Sequence, residues 1–371
     1  MTQENPNCNL VLLAAGGTGG HLFPAEALAH ALAARGLRVQ LATDERALNY
    51  GAQFPAEAMH EIASATPRGG SPIGKALAAL TLAKGVAEAY VLLGKIRPRV
   101  LVAFGGYPTV PPALAASLRH IPLILHEQNA VMGRANLFLS RRAQVIASGF
   151  PTISGLSADL LDRVRHVGNP VRPAVIEAAA LPYPDFADGR FRLLVTGGSQ
   201  GARVMADVVP AAIGLLAPDF RSRLVVVQQA RGEDFDRVKK AYEELQVEAE
   251  IAPFFADLPL RMAKAHLVIG RSGASTVSEL AVIGRPAIFV PFPFALDADQ
   301  AANAEHLAQT GAVEVIRQDF FTPQSLAQRL GNAFSSPEDL TRRAQAAKSA
   351  GVPDAADRLA ELTLETAGLA G

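Results

Sequence analysis

Short apolar runs and Ala-rich amphipathic segments alternate along the whole chain. Each run has the length and aliphatic composition of a buried strand, and each following segment has the period of a helix. Strands that alternate with helices predict βαβ units and parallel sheets. The predicted strands form two sets of six: Leu10–Ala15, Val39–Thr43, Val100–Phe104, Pro122–His126, Val145–Ala147 and Val164–Val167, then Leu193–Thr196, Leu224–Gln228, Glu250–Pro253, Leu267–Gly270, Ala287–Val290 and Val313–Ile316. The pattern therefore predicts an α/β protein with two doubly wound domains.

An internal repeat supports the division into two domains. The stretch LLAAGGTGG (12–20) aligns without gaps with LLVTGGSQG (193–201). Each is a strand followed by a glycine pair, a hydroxyl residue and another glycine. Between the halves, the glycine and prolines of GNPVRP (168–173) interrupt regular structure. We expect domains over residues 1–171 and 172–350, and a last helical segment over 351–371 after a Gly-Val-Pro break.

Composition and charge restrict the class of protein. The 371 residues suffice for two domains, and Lys+Arg and Asp+Glu are both 35, so the formal net charge is zero. This balance argues against bulk nucleic-acid binding. The single cysteine, Cys8, excludes an internal disulfide, and no signal peptide is visible. Because no uncharged apolar run reaches about 18 residues, we expect a soluble protein without a membrane span.

The glycine-rich stretch AAGGTGGHLFPA (14–25) follows the first predicted strand. Such a turn lets backbone N–H groups approach an anion at the start of a helix. A dinucleotide fingerprint G-x-G-x-x-G fits Gly17 and Gly19 but fails at Leu22. Asp44 resembles the ribose-binding acid of that fingerprint, so an NAD site and a purely structural tight turn both remain open on this loop alone. The Gly-Lys-Ser/Thr of a P-loop is absent from the sequence here.

Three further polar clusters end predicted strands, and all fall at the edge where parallel sheets bind ligands. They are FGGYPTVPP (104–112), HEQNAVMGRAN (126–136) and GRSGASTVSEL (270–280). In the last, a helix is expected to begin at about Ala274 to Thr276, with Glu279 one turn after Ser275. Backbone amides there suit a diphosphate, and the carboxylate suits the two hydroxyls of a ribose. The alternative is that Ser275 and Glu279 merely cap the helix.

Several of these strings together resemble the MurG family of UDP-N-acetylglucosamine transferases. GGTGGH, GGYPT, HEQN, GNPVR, GGSQGA, SGASTVSE and DADQAANA occur in the order and at about the spacing seen in that family, from about Asn9 to the C-terminal helix. The resemblance implies two Rossmann-like doubly wound domains facing across a cleft, the GT-B glycosyltransferase architecture. It also implies that the last helix returns to the N-terminal domain, that UDP-GlcNAc binds chiefly to the C-terminal domain, and that the lipid acceptor binds to the N-terminal one.

Site residues are carried over from the family motif by motif. The donor-binding set that the resemblance implies is Thr18, Gly19, Gly20, Asn129, Arg172, Ser199, Phe255, Ala274, Ser275, Thr276, Val277, Ser278, Glu279 and Gln300. Phe255 stands where family members meet the uracil, and Gln300 matches a glutamine that binds the sugar hydroxyls. One departure is Asp299, where many relatives have His or Gln. Asp297 and Asp299 form a D-x-D string, but the family uses that segment for the sugar, so we expect no metal and no cofactor.

The family reaction joins C1 of GlcNAc to the 4-hydroxyl of the MurNAc unit of lipid I, with inversion, and releases UDP. A single displacement needs a base on the acceptor hydroxyl and charge stabilisation on the leaving diphosphate. We expect His21 to be the base, since imidazoles exchange protons near neutral pH. Glu127 is the rival base, or orients the acceptor or His21. Tyr107 is expected to contact the acceptor.

Residues 71–99 offer a route to a membrane-anchored acceptor. On a helix, Ile73, Leu77 and Leu80 follow one stripe, and Leu82, Val86, Ala89 and Leu93 follow a nearly opposite one. One stripe can pack on the sheet while the other meets an anionic membrane surface, aided by Arg68, Lys75, Lys84, Arg141 and Arg142. The alternative is a fully buried helix. We expect a peripheral protein on the cytoplasmic side of the inner or cytoplasmic membrane, with division-machinery proteins as further partners.

Two other functions remain compatible with these motifs. A UDP-GlcNAc 2-epimerase has the same two-domain form, but it has no need of an acceptor loop such as GGYPT or HEQN. A catalytically silent UDP-sugar sensor would retain only the second-half site. The leading hypothesis is the lipid I glycosyltransferase.

Overall fold

The computed structural model describes residues 9–16, 18–45, 54–65, 72–198, 201–295 and 298–369 of the chain, and within 72–198 the side chains from residue 74 onward. The chain divides into two compact units: Met1–Arg172 with Pro353–Gly371, and Pro173–Val352. Arg172 thus lies in the first unit, and the last helical segment belongs to that unit from Pro353 onward.

The first unit is built on a parallel sheet of seven described strands. They are β1 (Leu10–Ala14), β2 (Arg38–Thr43), β3 (Ala58–Glu61), β4 (Val100–Ala103), β5 (Leu123–Glu127), β6 (Val145–Ser148) and β7 (Val164–His166). Their order across the sheet is β3-β2-β1-β4-β5-β6-β7, with β1 paired to both β2 and β4. All six strands predicted in the first half are present, and β3 was missed. It is short, half-exposed and carries no β-branched residue, so it has no alternating or aliphatic signal.

Helices cover both faces of this sheet. They are α1 (Gly19–Ala34), α2 (Pro72–Ile96), α3 (Val110–Leu118), α4 (Arg134–Leu139) and α14 (Ala355–Ala367), with 3₁₀ turns at Tyr107–Thr109, Ser140–Arg142 and Ala158–Arg163. Alternate residues of β1 face opposite layers: Leu12 packs in the cluster that includes α2 and α3, and Leu13 packs in the cluster that includes α1 and α14. Burial on both faces explains why the strands read as continuous apolar runs.

The C-terminal helix α14 packs against α1. Leu359 and Ala360 are fully buried in the same cluster as Leu28 and Leu32. At the two ends of the helix, Arg35 pairs with Asp357 at 2.9 Å and Arg99 donates to the carbonyl of Ala367. The helix therefore closes one face of the first sheet.

Helix α2 has the two stripes that its sequence predicts. Ala89 and Leu93 are 1% exposed, whereas Leu77 and Leu80 are 59% and 67% exposed. Over Gly74–Ile96 it is long and apolar enough to cross a membrane by length and composition, with 17% of that window buried. The helix contains Lys75, Lys84 and Glu88, so it is not an uncharged run of the kind considered in the sequence analysis.

The second unit repeats the architecture with six described strands, as predicted. They are β8 (Phe191–Thr196), β9 (Leu224–Gln229), β10 (Glu248–Ala252), β11 (Leu267–Gly270), β12 (Ala287–Phe289) and β13 (Val313–Val315), in the parallel order β10-β9-β8-β11-β12-β13. Its helices are α5 (Pro173–Ala179), α6 (Arg203–Gly214), α7 (Pro218–Ser222), α8 (Gly232–Glu244), α9 (Leu258–Ala263), α10 (Ala274–Ile283), α11 (Asp299–Ala308), α12 (Pro323–Phe334) and α13 (Pro337–Ala350), with a 3₁₀ turn at Gln318–Phe320.

Both strand orders are those of a doubly wound fold, and each has a point where the order reverses. In the first unit the reversal falls between β1 and β4, and in the second between β8 and β11. Open α/β sheets bind ligands beyond the carboxyl ends of the strands at this point. The loops that follow these four strands therefore define where each unit can hold a ligand.

Candidate functional site

The loops after β1 and β4 touch in the first unit. A β-carbon on Gly16 would lie 2.8 Å from Cγ of Pro108, so only glycine permits this approach. Thr18 and Gly20 are exposed at the start of α1, while Gly19 is buried against the ring of Phe23. Gly17, between them, lies outside the described residues. This bare backbone lets the two loops meet at the reversal point.

The His21 side chain lies half-buried beside the loop after β4. Its Nδ1 is 3.1 Å from Oε1 of Gln128. The other edge of the ring faces Gly105 and Gly106, both with left-handed φ. A β-carbon on Gly106 would lie 3.4 Å from His21 Nε2. Glycine at that position keeps a side chain away from the nitrogen.

The Glu127 carboxylate is buried, and it binds the segment that follows β5. Its Oε1 accepts from the backbone N–H and the side-chain amide of Asn129, at 3.0 and 3.2 Å. Its Oε2 accepts from the N–H of Gly133 at 2.9 Å and from Nδ2 of Asn136 at 2.8 Å. A carboxylate has about four lone-pair positions, and these donors occupy all of them. Glu127 therefore has no vacant acceptor position for a substrate proton while this segment keeps its conformation.

The remaining predicted residues of the first unit lie on the same edge of its sheet. Tyr107 is half-buried in the 3₁₀ turn after β4. The Arg172 guanidinium lies 4.0 Å above the ring of Phe23 in α1. Burial raises the pKa of the neighbouring Glu26 carboxyl, and the charges of Arg172 and then His30 partly oppose this rise.

In the second unit, α10 begins at Ala274, as the sequence predicts, with Gly273 at its N-cap in extended conformation. Along the first turns, Ala274, Val277 and Glu279 are buried, whereas Ser275, Thr276 and Ser278 are half-buried. The first turn of α10, all of it described, holds no acidic side chain. The side-chain oxygen of Ser275 is buried and has no hydrogen-bond partner in the described part of the chain. Ser275 therefore does not cap α10, contrary to the alternative hypothesis that it serves only as a helix cap.

Two arginines that sequence reasoning missed lie at this edge. Arg271 follows β11 and is 9% exposed, and its guanidinium donates to the carbonyls of Val290 and Pro291 and to Oε1 of Gln318. Burial first, and the charge of Arg231 second, lower the pKa of Arg271. Arg231 donates to the carbonyl of Gly201 and is partly compensated by the Glu233 carboxylate at 3.6 Å, whereas Arg271 lies just before the start of α10 and has no carboxylate partner among its hydrogen bonds given above. The signal available in the sequence was their position within two residues of the end of a strand, at the carboxyl edge of the sheet.

The loop after β8 is tied to the loop after β10 through Gln229. Its Oε1 accepts from Thr196 Oγ1 and from the N–H of Gly197, and its Nε2 donates to the carbonyl of Pro253. Phe255 is 7% exposed, with the Arg261 guanidinium 4.3 Å from its ring centre. Ser199, predicted to bind the donor, lies outside the described residues.

Gln300 lies at the start of α11 and is held on both sides. Its backbone carbonyl accepts from Ser272 Oγ at 2.7 Å, and its side-chain oxygen accepts from the N–H of Phe292 at 3.0 Å. The side-chain amide nitrogen is thus the group left to donate to a ligand. Asp299, at the position where many relatives have His or Gln, accepts a hydrogen bond from the N–H of Gln300. Its carboxylate therefore stabilises the N-terminus of α11. Asp297 lies outside the described residues, and among the described ones no group of three or more His, Cys, Asp or Glu side chains is placed to hold a metal ion.

Comparisons with known proteins define the class. Two family models match this chain: the glycosyltransferase family 28 N-terminal domain over residues 11–148, and the glycosyltransferase family 28 C-terminal domain over residues 192–359. The chain is a family 28 glycosyltransferase with two Rossmann-like domains, which confirms the predicted GT-B fold class and the predicted enzyme class.

Relatives and solved structures narrow this class. A protein of Methylobacterium radiotolerans, named UDP-N-acetylglucosamine--N-acetylmuramyl-(pentapeptide) pyrophosphoryl-undecaprenol N-acetylglucosamine transferase, is 57% identical over 359 residues, which cover 96% of this chain and 97% of that protein. The crystal structure of Acinetobacter baumannii MurG is similar with a TM-score of 0.76 and 29% identity, over 96% of this chain and 99% of that one. The chain therefore belongs to the MurG family, as its motifs predict.

A more distant likeness concerns the fold only. The structure of UDP-GlcNAc 2-epimerase from Neisseria meningitidis bound to UDP-GlcNAc aligns with a TM-score of 0.66 but 15% identity, over 96% of this chain and all of that one. At this identity the alignment reports a shared architecture of two doubly wound domains and nothing about the reaction.

Proposed function

We propose that this protein transfers N-acetylglucosamine from UDP-GlcNAc to the 4-hydroxyl of the MurNAc unit of undecaprenyl-pyrophosphoryl-MurNAc-pentapeptide (lipid I). The product is lipid II, the precursor of peptidoglycan. The observation that carries the proposal is the 57% identity, over 96% of the chain, to a relative with this transferase name. The side chains at the two reversal points supply the chemistry that the reaction needs.

The proton of the acceptor hydroxyl passes to His21. As the oxygen attacks C1 of the donor, a new C–O bond forms, the bond from C1 to the diphosphate breaks, and UDP leaves with the electron pair. Nδ1 of His21 is engaged by Gln128, so Nε2 is the atom that takes the proton. Glu127, with four donors on its carboxylate, holds the Asn129–Asn136 segment instead. Tyr107, on the adjacent turn, contacts the acceptor together with this segment.

The second unit binds the donor. Amides at the start of α10, with Ser199 and the nearby charges of Arg231 and Arg271, stabilise the diphosphate as it leaves. Glu279 accepts from the ribose hydroxyls, and the backbone around Phe255 contacts the uracil. Gln300 donates through Nε2 to a sugar hydroxyl. Thr18, Gly19, Gly20, Asn129 and Arg172 are further donor-binding residues that we infer from the family motifs.

Helix α2 brings the enzyme to its lipid-linked substrate as a peripheral protein on the cytoplasmic face of the membrane. The exposed Leu77 and Leu80 form an apolar stripe, and Lys84 lies one turn further, 71% exposed in its side chain. A helix with this stripe and flanking cations suits an anionic interface. Division-machinery proteins are further partners that we infer only from the family.

A single assay separates the three functions considered. The protein is incubated with UDP-GlcNAc, with and without a short-chain lipid I analogue. We expect UDP release that depends on the acceptor. Conversion to UDP-ManNAc without acceptor would indicate an epimerase, and binding without turnover would indicate a sensor.

The role of His21 is tested with His21→Ala. General bases contribute about 10²–10⁴-fold, so kcat should fall by that factor while the affinity for UDP-GlcNAc changes little. His30→Ala, an exposed histidine of the same helix, is the matched control and should keep wild-type turnover. Unchanged turnover of His21→Ala would remove it as the base.

Membrane docking is tested by co-sedimentation with anionic liposomes. The Leu77→Glu/Leu80→Glu variant should lose binding, because two carboxylates replace the apolar stripe. Ile176→Glu/Leu215→Glu, which changes two exposed apolar side chains of the second unit, is the control and should bind as wild type. Wild-type binding of the first variant would exclude α2 as the docking surface.

A further inference from the structure

A buried chain of hydrogen bonds connects His21 to the interior of the first unit. His21 Nδ1 is 3.1 Å from Gln128 Oε1, Gln128 Nε2 is 3.0 Å from His126 Nδ1, and His126 Nε2 is 3.2 Å from the carbonyl oxygen of Gly168. His126 is fully buried and Gln128 is 2% exposed. Each hydrogen bond restricts where the hydrogens of the next residue can be. The positions of the hydrogens can therefore be assigned in order, beginning at the Gly168 carbonyl and ending at His21.

His126 is neutral, with its hydrogen on Nε2. The Gly168 carbonyl can only accept, so Nε2 must donate to it. The neighbour of Nδ1 is the amide nitrogen of Gln128, which can only donate, so Nδ1 must carry a lone pair. Burial lowers the pKa of His126 to about 4, which agrees with this assignment.

The Gln128 amide has one orientation in this environment. Its nitrogen lies 2.9 Å from the carbonyl oxygen of Phe104 and 3.3 Å from that of His126, as well as near His126 Nδ1. The two carbonyl oxygens can only accept, so an amide oxygen in that place would face their lone pairs whatever the state of His126 Nδ1. The NH₂ group therefore faces inward, and the oxygen faces His21.

The amide oxygen determines the hydrogen on His21. Because this oxygen accepts and cannot donate, the neighbouring Nδ1 of His21 must carry a hydrogen. We propose that Gln128 is a positioning residue that holds neutral His21 in the Nδ1–H tautomer and so keeps the lone pair on Nε2. Its consequence for catalysis rests on the proposed function, in which Nε2 takes the acceptor proton.

The hydrogen-bond chain through Gln128 and His126 fixes the orientation of the His21 ring without placing a charge beside it. A carboxylate in the place of Gln128 would hold the same tautomer, as the aspartate does in a Ser-His-Asp triad. It would also need a compensating charge, since an unpaired buried carboxylate is costly. The buried Gln128–His126 pair is fully hydrogen-bonded and neutral, so it avoids that cost. Gln128 does not touch the reacting atoms in this assignment, and it acts only through His21.

The tautomer can be measured without substrate. In protein labelled with ¹⁵N-histidine, the protonated and unprotonated ring nitrogens of a neutral imidazole have well-separated shifts, and His21→Gln assigns the His21 signals. In the wild type, at a pH where His21 is neutral, we expect the protonated-type shift on Nδ1 and the unprotonated-type shift on Nε2. In Gln128→Leu the hydrogen should redistribute toward Nε2, with a fall in kcat of about tenfold to a hundredfold and an unchanged KM for UDP-GlcNAc.

A matched control comes from another glutamine–histidine pair of the same unit. Gln40 is 9% exposed, and its Oε1 is 2.8 Å from His60 Nε2 on the far side of β2 from β1. Gln40→Leu makes the same chemical change and should leave both the His21 signals and kcat as in the wild type. An equal loss of kcat in both variants would mean a general packing effect and would overturn the proposal.

Two further outcomes overturn the proposal. One is an Nε2–H tautomer for His21 in the wild type, a result that does not depend on the folding of Gln128→Leu. The other is an unchanged His21 tautomer in folded Gln128→Leu. Failure of the proposed function is distinct, because wild-type protein that transfers no sugar would still report its tautomer by NMR.

Discussion

Replacing Glu127 by glutamine tests whether this carboxylate holds a loop or takes a proton. In the variant an NH₂ group replaces the oxygen that faces the N–H and side-chain amide of Asn129. The Asn129 side chain can rotate to present its oxygen, but the backbone N–H cannot, and a buried unpaired donor costs about 1–3 kcal/mol. The bonds from Gly133 and Asn136 to the other oxygen survive as neutral ones, each weaker by about 1 kcal/mol. We expect the segment to lose about 3–5 kcal/mol of local stability.

Hydrogen exchange measures this loss directly. The amides of Asn129 and Gly133 should exchange roughly a hundredfold to a few thousandfold faster in Glu127→Gln, since each 1.4 kcal/mol is about tenfold. Glu88→Gln is the matched control. Glu88 accepts from the N–H of Ala63 through one oxygen, which a glutamine retains, so exchange at Ala63 should change little.

The opposite result would refute the reasoning. If Glu127→Gln abolished sugar transfer while the Asn129 and Gly133 amides exchanged at wild-type rates, the carboxylate would be the proton acceptor. His21 would then lose the role of base, and the four donors around Glu127 would have to open before each turnover.

Three further predictions concern the first unit. Gly16→Ala places a methyl group 2.8 Å from Pro108, so it should lower the free energy of unfolding by about 1–3 kcal/mol and reduce sugar transfer. Gly232→Ala is the control: its methyl group would have nothing within 4 Å, so thermal unfolding should show a neutral or stabilising effect, and equal effects of the two variants would contradict the steric argument. Burial lowers the pKa of His126 from 6.5 to about 4, so the unfolded state takes up a proton first as the pH falls, and the free energy of unfolding should drop by about 3 kcal/mol from pH 6.5 to pH 4. In denaturant titrations, His126→Asn should flatten this dependence on pH, and an equal dependence in both proteins would exclude His126 as its source. Leu359→Ala, at a fully buried position of α14, should destabilise the first unit by about 2–5 kcal/mol in calorimetry, and an unchanged transition would mean that α14 is dispensable.

Much of this architecture could be predicted because it depends on local patterns. Buried parallel strands give continuous apolar runs, so twelve of the thirteen described strands were located from the sequence. The start of α10 follows from Gly273, after which the helix period begins. The two stripes of α2 follow from helix geometry alone, and their unequal burial agrees with it.

What could not be predicted depends on side-chain direction and on distant partners. The sequence HEQN does not indicate that Glu127 binds the Asn129–Asn136 segment or that the Gln128 side chain points toward His21. Arg271 follows a strand in the same motif as Ser275, but its burial under the β12 loop depends on contacts about twenty residues away. Strand β3 has no strand pattern of its own and pairs with β2 at the edge of the sheet.

The two reversal points share a glycine-rich loop after the first strand of each unit but differ in charge. In the second unit, Arg271 and the start of α10 supply positive charge, which suits a leaving diphosphate because negative charge there grows as the bond breaks. In the first unit, the chain from His21 through Gln128 to His126 is neutral throughout. A cation beside the base would disfavour its protonation, and a carboxylate would favour holding the proton after transfer. A base that must accept a proton and release it in every turnover is best served by a neutral partner that fixes only its orientation.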